Sequence, residues 1–280
     1  MRPSGDSDLL IAARRALLDA LDALREHRDS VVLIGAQAIY LHTGAATVAL
    51  AEATKDSDLA LDARSLGDRP LLEEAMSRAG FRRNQDALQP GSWLSPDGTP
   101  VDLMVPEALA GRGGRRGARI PPHATHAARR ATGLEAAVVD YVPMHISALE
   151  PSDTRSFFVN VASPAALLVA KLHKLGESAE QPDRLTDKDA HDLYRLLVGI
   201  PTGEFAAALG RLRRNPLASD VTKRAMKLLA ELFADGPDAV GSAMAGRAEQ
   251  GVGDPETVSA AAATLAADLL LAVESAERIE

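Results

Sequence analysis

The spacing of apolar residues changes once along this 280-residue chain, near residue 163, and the change divides it into two parts of different class. Before it, apolar runs are short and stop at Gly, Pro or Asp. VVLIG, DSDLALD, residues 81–83, 92–94 and 101–105, AAVVDYVPMHIS and SFFVNV read as strands. Helical spacing lies between them, in the first 25 residues, in AQAIYLHTG and in RPLLEEAMSRAG, and SPDGTP supplies a turn. Beyond it every apolar pattern is helical: 164–176, 187–198, 203–212, 219–234, and an alanine-rich helix from Glu256 onward. Strands with interspersed helices followed by helices alone imply an α+β domain over 1–162 and a helical domain over 163–280. Pro164 suits the first turn of a helix, where a missing N–H costs nothing. Ser7 and Asp8 suit the start of the first helix, ahead of Leu9, Leu10, Ala13, Leu17, Leu18, Leu21 and Leu24.

Composition narrows the class. A hydrophobic content of 46% with 25% charged residues is that of a soluble globular protein, and no apolar run approaches the roughly 20 residues that span a bilayer. A cytoplasmic protein without a membrane partner is expected. With no cysteine, only oxygen and imidazole remain as metal ligands, and the histidines show no zinc-site spacing. A net charge of −8 argues against indiscriminate coating of nucleic acid. GRGGRRGARIPPHATHAARRA, residues 111–131, nevertheless carries six arginines and no acid. It reads either as a flexible surface insertion or as a lid that grips triphosphate or an RNA backbone.

Chemistry concentrates in DSD. Residues two apart on a strand project to one face, so Asp56 and Asp58 are expected about 6.5–7 Å apart along it, with Ser57 turned into the opposite layer. Asp102 lies in a similar apolar setting, PVDLMV. Three converging carboxylates repel one another unless a divalent cation joins them, and two bridged Mg²⁺ ions serve in-line displacement at phosphorus. Gly35, before a helix start, offers backbone N–H groups to a phosphate. The plain alternative is a surfaced strand end with solvated acids.

A strand, a Gly-led helix start, a D-x-D strand and a later single-Asp strand together resemble the nucleotidyltransferase superfamily with a polymerase-β-like palm. The stretch SPAALLVAKLHKLGESAEQPDRLTDKDAHDLYRLL resembles the signature of AbiEii/MenT-type nucleotidyltransferases, many of them toxins of toxin–antitoxin pairs. The resemblance covers roughly residues 30–200. It implies a palm with a mixed sheet and flanking helices, and a helical bundle that closes the nucleotide cleft. It also implies NMP transfer from an NTP with two Mg²⁺ ions, a tRNA 3′ end or other RNA as acceptor, and a cognate antitoxin. The resemblance makes Asp56, Asp58 and Asp102 the metal ligands and Gly35 with Ala36 the phosphate-contacting turn. It makes Lys171 the triphosphate lysine and Asp189, with Asp192 close by, the acid of the helical domain. Lys174 and Arg184 are further nucleotide-binding candidates. Two departures stand out: Ala36 replaces the Ser or Gly often found there, and Glu52 stands where an Arg is common ahead of Thr54, with Lys55 as a substitute cation.

Each helical-domain residue has a plainer reading. Lys171 and Lys174 are spaced as a snorkelling surface pair, Lys188 and Asp192 as an i,i+4 pair, and Arg184 as a local cap. Two other functions remain open: modification of a small polycation of the aminoglycoside kind, and a catalytically silent nucleotide-binding regulator.

Overall fold

A computed structural model of the chain describes residues 4–44, 54–87, 89–113, 116–179 and 186–278. Glu52, Arg115 and Arg184 lie outside the described residues. The chain divides into two compact units, residues 1–38 with 53–162 and residues 39–52 with 163–280.

The first unit opens with α1 (Ser4–Ala23) and a 3-10 turn (Arg25–Ser30). β1 (Val31–Ile34), α2 (Gly35–Thr43, of which residues 39–43 belong to the second unit), β2 (Ser57–Leu61) and α3 (Leu72–Arg78) follow. Then come β3 (Arg82–Arg83), β4 (Ser92–Leu94), β5 (Pro100–Pro106), β6 (Arg129–Ala131), β7 (Tyr141–Ser147) and β8 (Ser156–Ala162). These strands form one mixed sheet in the order β3-β4-β5-β2-β1-β8-β7, with β6 also paired to β5. β2 runs antiparallel to β1 and parallel to β5, so Leu33, Leu59 and Leu103 fall side by side in register. All three have no exposed surface, and burial of each is worth about 1.5–3 kcal/mol. This face also carries Ser57, whose hydroxyl donates to the Ala13 carbonyl of α1 at 2.9 Å. α1 packs here with Ala13, Leu17, Leu18 and Leu21 buried.

The outer edge of β5 has two successive partners. Antiparallel β4 takes Pro100 to Asp102, and parallel β6 takes Met104 to Pro106. Between them Leu103 donates to the Gly91 carbonyl at 2.8 Å. Gly91 has φ +79°, and a Cβ there would press on the Leu103 carbonyl and the Arg129 nitrogen, so only glycine fits at this handover.

The second unit contains α4 (Pro164–Ala179), α5 (Asp187–Gly199), α6 (Thr202–Arg214) and α7 (Ser219–Leu229), which continues into a π-helical turn (Ala230–Ala234). α8 (Val240–Ala248) and α9 (Pro255–Glu277) complete it. The Ser163 hydroxyl accepts from the Ala166 N–H at 3.2 Å and caps α4. The α+β architecture with a mixed sheet, flanking helices and a helical C-terminal region is therefore the one expected.

Several boundaries differ from expectation. Gly35 opens α2 and is not the last residue of β1, Ser7 and Asp8 lie inside α1, and AAVVD forms turns ahead of β7. β6 and α8 were not foreseen. α8 is too rich in small residues for its apolar spacing to register, yet smallness is what its packing requires. A Cβ at Gly246 would strike the Ser259 hydroxyl and the Pro255 carbonyl, and one at Gly241 the Phe233 ring. Contrary to the composition reading, α9 is long and apolar enough to cross a membrane, with an 18-residue stretch of mean hydropathy 1.5. Its Ala262, Ala266, Leu269 and Val273 are buried, and the helix packs on α6 and α8.

Candidate active site

Asp58 and Asp102 are direct partners in the parallel pairing of β2 with β5. Both lie on the face away from α1, because the leucine row at 59 and 103 occupies the other side. Like charges in register repel, so this placement calls for positive charge nearby. One source is present: Arg129 Nη2 stands 3.5 Å from Asp102 Oδ2, with about a quarter of each side chain exposed. A second feature lies at Asp58. Gly35 has φ +70°, and a Cβ there would collide with the Asp58 carboxylate. The first residue of α2 is thus pressed against the acid, and only a bare Cα allows it.

Asp56 sits one residue ahead of β2, exposed, with its Oδ1 accepting from the Thr54 hydroxyl at 2.8 Å. The structure thus joins Asp58 with Asp102 and leaves Asp56 at the strand entrance. Among the described residues no three His, Asp or Glu side chains are gathered closely enough to enclose a metal ion. The aspartates are therefore no finished cage. Their chemistry still fits a hard divalent cation: two carboxylates side by side and a third at the strand start, all oxygen donors.

The elements that carry these groups are tied by buried polar contacts. Gln37 of α2 donates to the Ser57 hydroxyl at 2.6 Å and accepts from Arg14 Nε at 2.9 Å. Arg14 also donates to the Ser147 carbonyl at 2.9 Å. The Gln37 amide thereby sets α2 against β2, and Gly35 against Asp58. Ala36, the other residue of the expected phosphate turn, is buried.

Four candidates from the helical region form a separate cluster within the second unit. The buried Lys171 ammonium bonds Asp189 at 2.6 Å and Asp192 at 2.7 Å. Lys174, with its side chain 61% exposed, reaches Asp189 at 3.0 Å, and the Thr186 hydroxyl donates to Asp189 at 2.8 Å. Burial opposes the charge on Lys171, but Asp192 and Asp189 outweigh it and hold its pKa well above the ordinary lysine value. Burial likewise works to raise Asp189, yet Lys171 and then Lys174 hold it far below the usual carboxylate range. Asp192 meets Lys171 where the i,i+4 reading had given it to Lys188. Lys171 is no snorkelling surface residue.

Arginines of the 111–131 segment have different fates, decided by strand parity. Arg130, opposite Val105, turns to the other side and binds Glu107 at 2.8 Å and the carbonyls of Ala110, Gly111 and Gly113 at 2.8–3.3 Å. Arg119 donates to the Arg112 carbonyl at 3.1 Å. Arg129, opposite Met104, points to the aspartate face. Sequence reasoning missed Arg129 as an individual site residue and missed Gln37. An RR pair entering a short strand was the available signal for the first; nothing in the local pattern marks the second.

The family model for nucleotidyltransferases matches residues 12–197, a span that includes β1, β2, β5 and the Lys171 cluster. No curated protein and no solved structure matches the chain.

Proposed function

The chain belongs to the nucleotidyltransferase family, and on that footing we propose that it moves an NMP from an NTP to the 3′-terminal hydroxyl of a tRNA, with Mg²⁺, as a growth-inhibiting toxin of the AbiEii/MenT type. The observation that carries the reading is the in-register pair Asp58–Asp102 with the start of α2 pressed against Asp58. Asp58 and Asp102, with Asp56 at the strand entrance, would hold the metal. Bound Mg²⁺ would supply neutralisation of phosphate charge and a more acidic acceptor hydroxyl. Gly35 with Ala36 brings the N-terminus of α2 to the phosphates, where helix N–H groups favour an anion.

In the reaction the acceptor oxygen forms a bond to the α-phosphorus, the bond from that phosphorus to the bridging oxygen breaks, and pyrophosphate leaves. The hydroxyl proton passes to solvent by way of the Asp102 carboxylate. Within the second unit Lys171, the triphosphate lysine by resemblance, is held by Asp189 and Asp192, and Lys174 is the more exposed cation of that cluster. A cytoplasmic location and a neutralising antitoxin complete the proposal.

The test is incubation with total RNA and each α-labelled NTP in Mg²⁺. Label is expected in the tRNA band. Asp58→Asn and Asp102→Asn are each expected to lower incorporation by at least a thousandfold with unchanged circular dichroism. Full incorporation by either variant, or label on an aminoglycoside and not on RNA, refutes the reading.

A further inference from the structure

We propose that Arg129 selects an anionic acceptor by binding a phosphate oxygen of its last internucleotide linkage. The inference rests on the function proposed above and names the residue that distinguishes a polynucleotide from a polycation at that site.

The argument begins with position. Across the sheet the order is β1, β2, β5, then β6, so the groups run from Gly35, the first residue beyond β1, through Asp58 and Asp102 to Arg129. Two anion-attracting features therefore flank the carboxylate pair on opposite sides. The α2 start lies on the Asp58 side and suits the triphosphate. The guanidinium lies on the Asp102 side, where an attacking hydroxyl would enter.

Hydrogen bonding adds to this. Arg130, next in sequence, has both terminal nitrogens engaged by Glu107 and loop carbonyls. Arg129 has one side-chain hydrogen bond, a long one of 3.5 Å from Nη2 to Asp102, so its terminal nitrogens keep donor capacity that those of Arg130 have used. A guanidinium offers five donors in a planar fork. The geometry thus leaves Arg129 with donor capacity directed at the carboxylate face. A phosphate is the matching acceptor, taken in bidentate fashion, whereas an ammonium-rich acceptor would be repelled. Gly91 secures the placement, since a side chain there would displace the Arg129 backbone from β5. The neighbours are polar as well: Ser92 stands opposite Asp102 on β4, with the Asn84 amide 3.5 Å from its hydroxyl.

The experiment compares an RNA oligonucleotide bearing a natural last linkage with one bearing an uncharged methylphosphonate there. With wild-type protein the methylphosphonate is expected to raise the acceptor KM about tenfold to a hundredfold, the range of a charge-assisted hydrogen bond, and to leave the NTP KM unchanged. Arg129→Ala should raise the acceptor KM by the same factor and use both oligonucleotides equally, and Arg129→Lys should restore part of the difference. Fluorescence anisotropy in EDTA gives a readout independent of turnover: the dependence of log K on log salt should fall by about 0.7 for one lost phosphate contact in a single strand. If wild type uses both oligonucleotides equally, or if Arg129→Ala raises the NTP KM instead, this inference is overturned and the transferase reading stands. If wild type labels no RNA at all, both fall.

Discussion

At the scale of single residues, Gly35 and Lys171 show how one position sets a local limit. Gly35 combines φ +70° with an approach to Asp58 that leaves no room for a methyl group. Gly35→Ala is expected to cost about 1–3 kcal/mol of stability through backbone strain, and to suppress nucleotide transfer by pushing the Asp58 carboxylate aside; urea titration and the labelling assay read the two effects. Lys171 is the positive centre of a buried cluster with Asp189 and Asp192. Lys171→Met takes the buried cation from Asp192 and leaves Asp189 with Lys174 and Thr186; a loss of about 3–5 kcal/mol is expected, partly recovered when Asp189→Asn and Asp192→Asn are added. The cluster also has a pH signature. The raised Lys171 pKa contributes stability in full below the ordinary value of 10.5, lost as pH rises through the folded value. The lowered Asp189 pKa contributes stability above its ordinary value of 3.8, lost as pH falls below it. Melting temperature against pH should therefore fall at both extremes in the wild type and less steeply in the triple variant.

At the scale of elements, the connection from β2 to α3 is held by two imidazoles. His123 accepts from the Leu72 N–H through Nδ1 at 3.2 Å and lies 3.1 Å from the Gly67 carbonyl through Nε2. A backbone N–H only donates, so Nδ1 is unprotonated and Nε2 carries the hydrogen. His27 binds the Pro70 carbonyl at 2.7 Å, with its ring centroid 5.8 Å from that of His123. Burial, then His27, lowers the His123 pKa below 6.5, against smaller opposing effects of the Gly67 carbonyl, Glu73 and Asp68. A depressed histidine pKa means that the unfolded chain binds the extra proton. Stability is then present above about pH 6.5 and lost as pH falls through the folded value. His123→Asn should flatten this dependence between pH 7 and 5; an unchanged slope in melting temperature would count against the latch. These elements were legible to different degrees. Period-2 spacing placed the strands and put Ser57 on the opposite face from Asp58, because alternation is local. The partnership of β2 with β5 was not legible, since it joins residues over 40 positions apart through backbone bonds that carry no sequence mark. β6 was missed because three residues are too few to show a period, and Arg129 was hidden with it.

At the scale of the whole chain, the two units carry separate cores and separate reporters. The single tryptophan, Trp93, is buried in the first unit and donates to the Ala127 carbonyl at 3.0 Å, whereas α4 to α9 supply most of the helicity. In urea, Lys171→Met is expected to lower the midpoint followed by far-UV ellipticity and to leave the Trp93 fluorescence midpoint in place; equal shifts in both would mean that the chain unfolds as one cooperative body. The shared edge of β5 has a consequence of another kind. Since β4 completes its first half and β6 its second, the stretch from Pro106 to Arg129 begins and ends at the sheet without interrupting either aspartate-bearing strand. Much of that excursion is itself fixed, since His123 binds Leu72 and Ala127 accepts from Trp93, whereas residues 111–113 are exposed. Insertions confined to those exposed positions would leave the pairing of β2 with β5 and of β5 with β6 in place, which makes this point of the chain tolerant of added length.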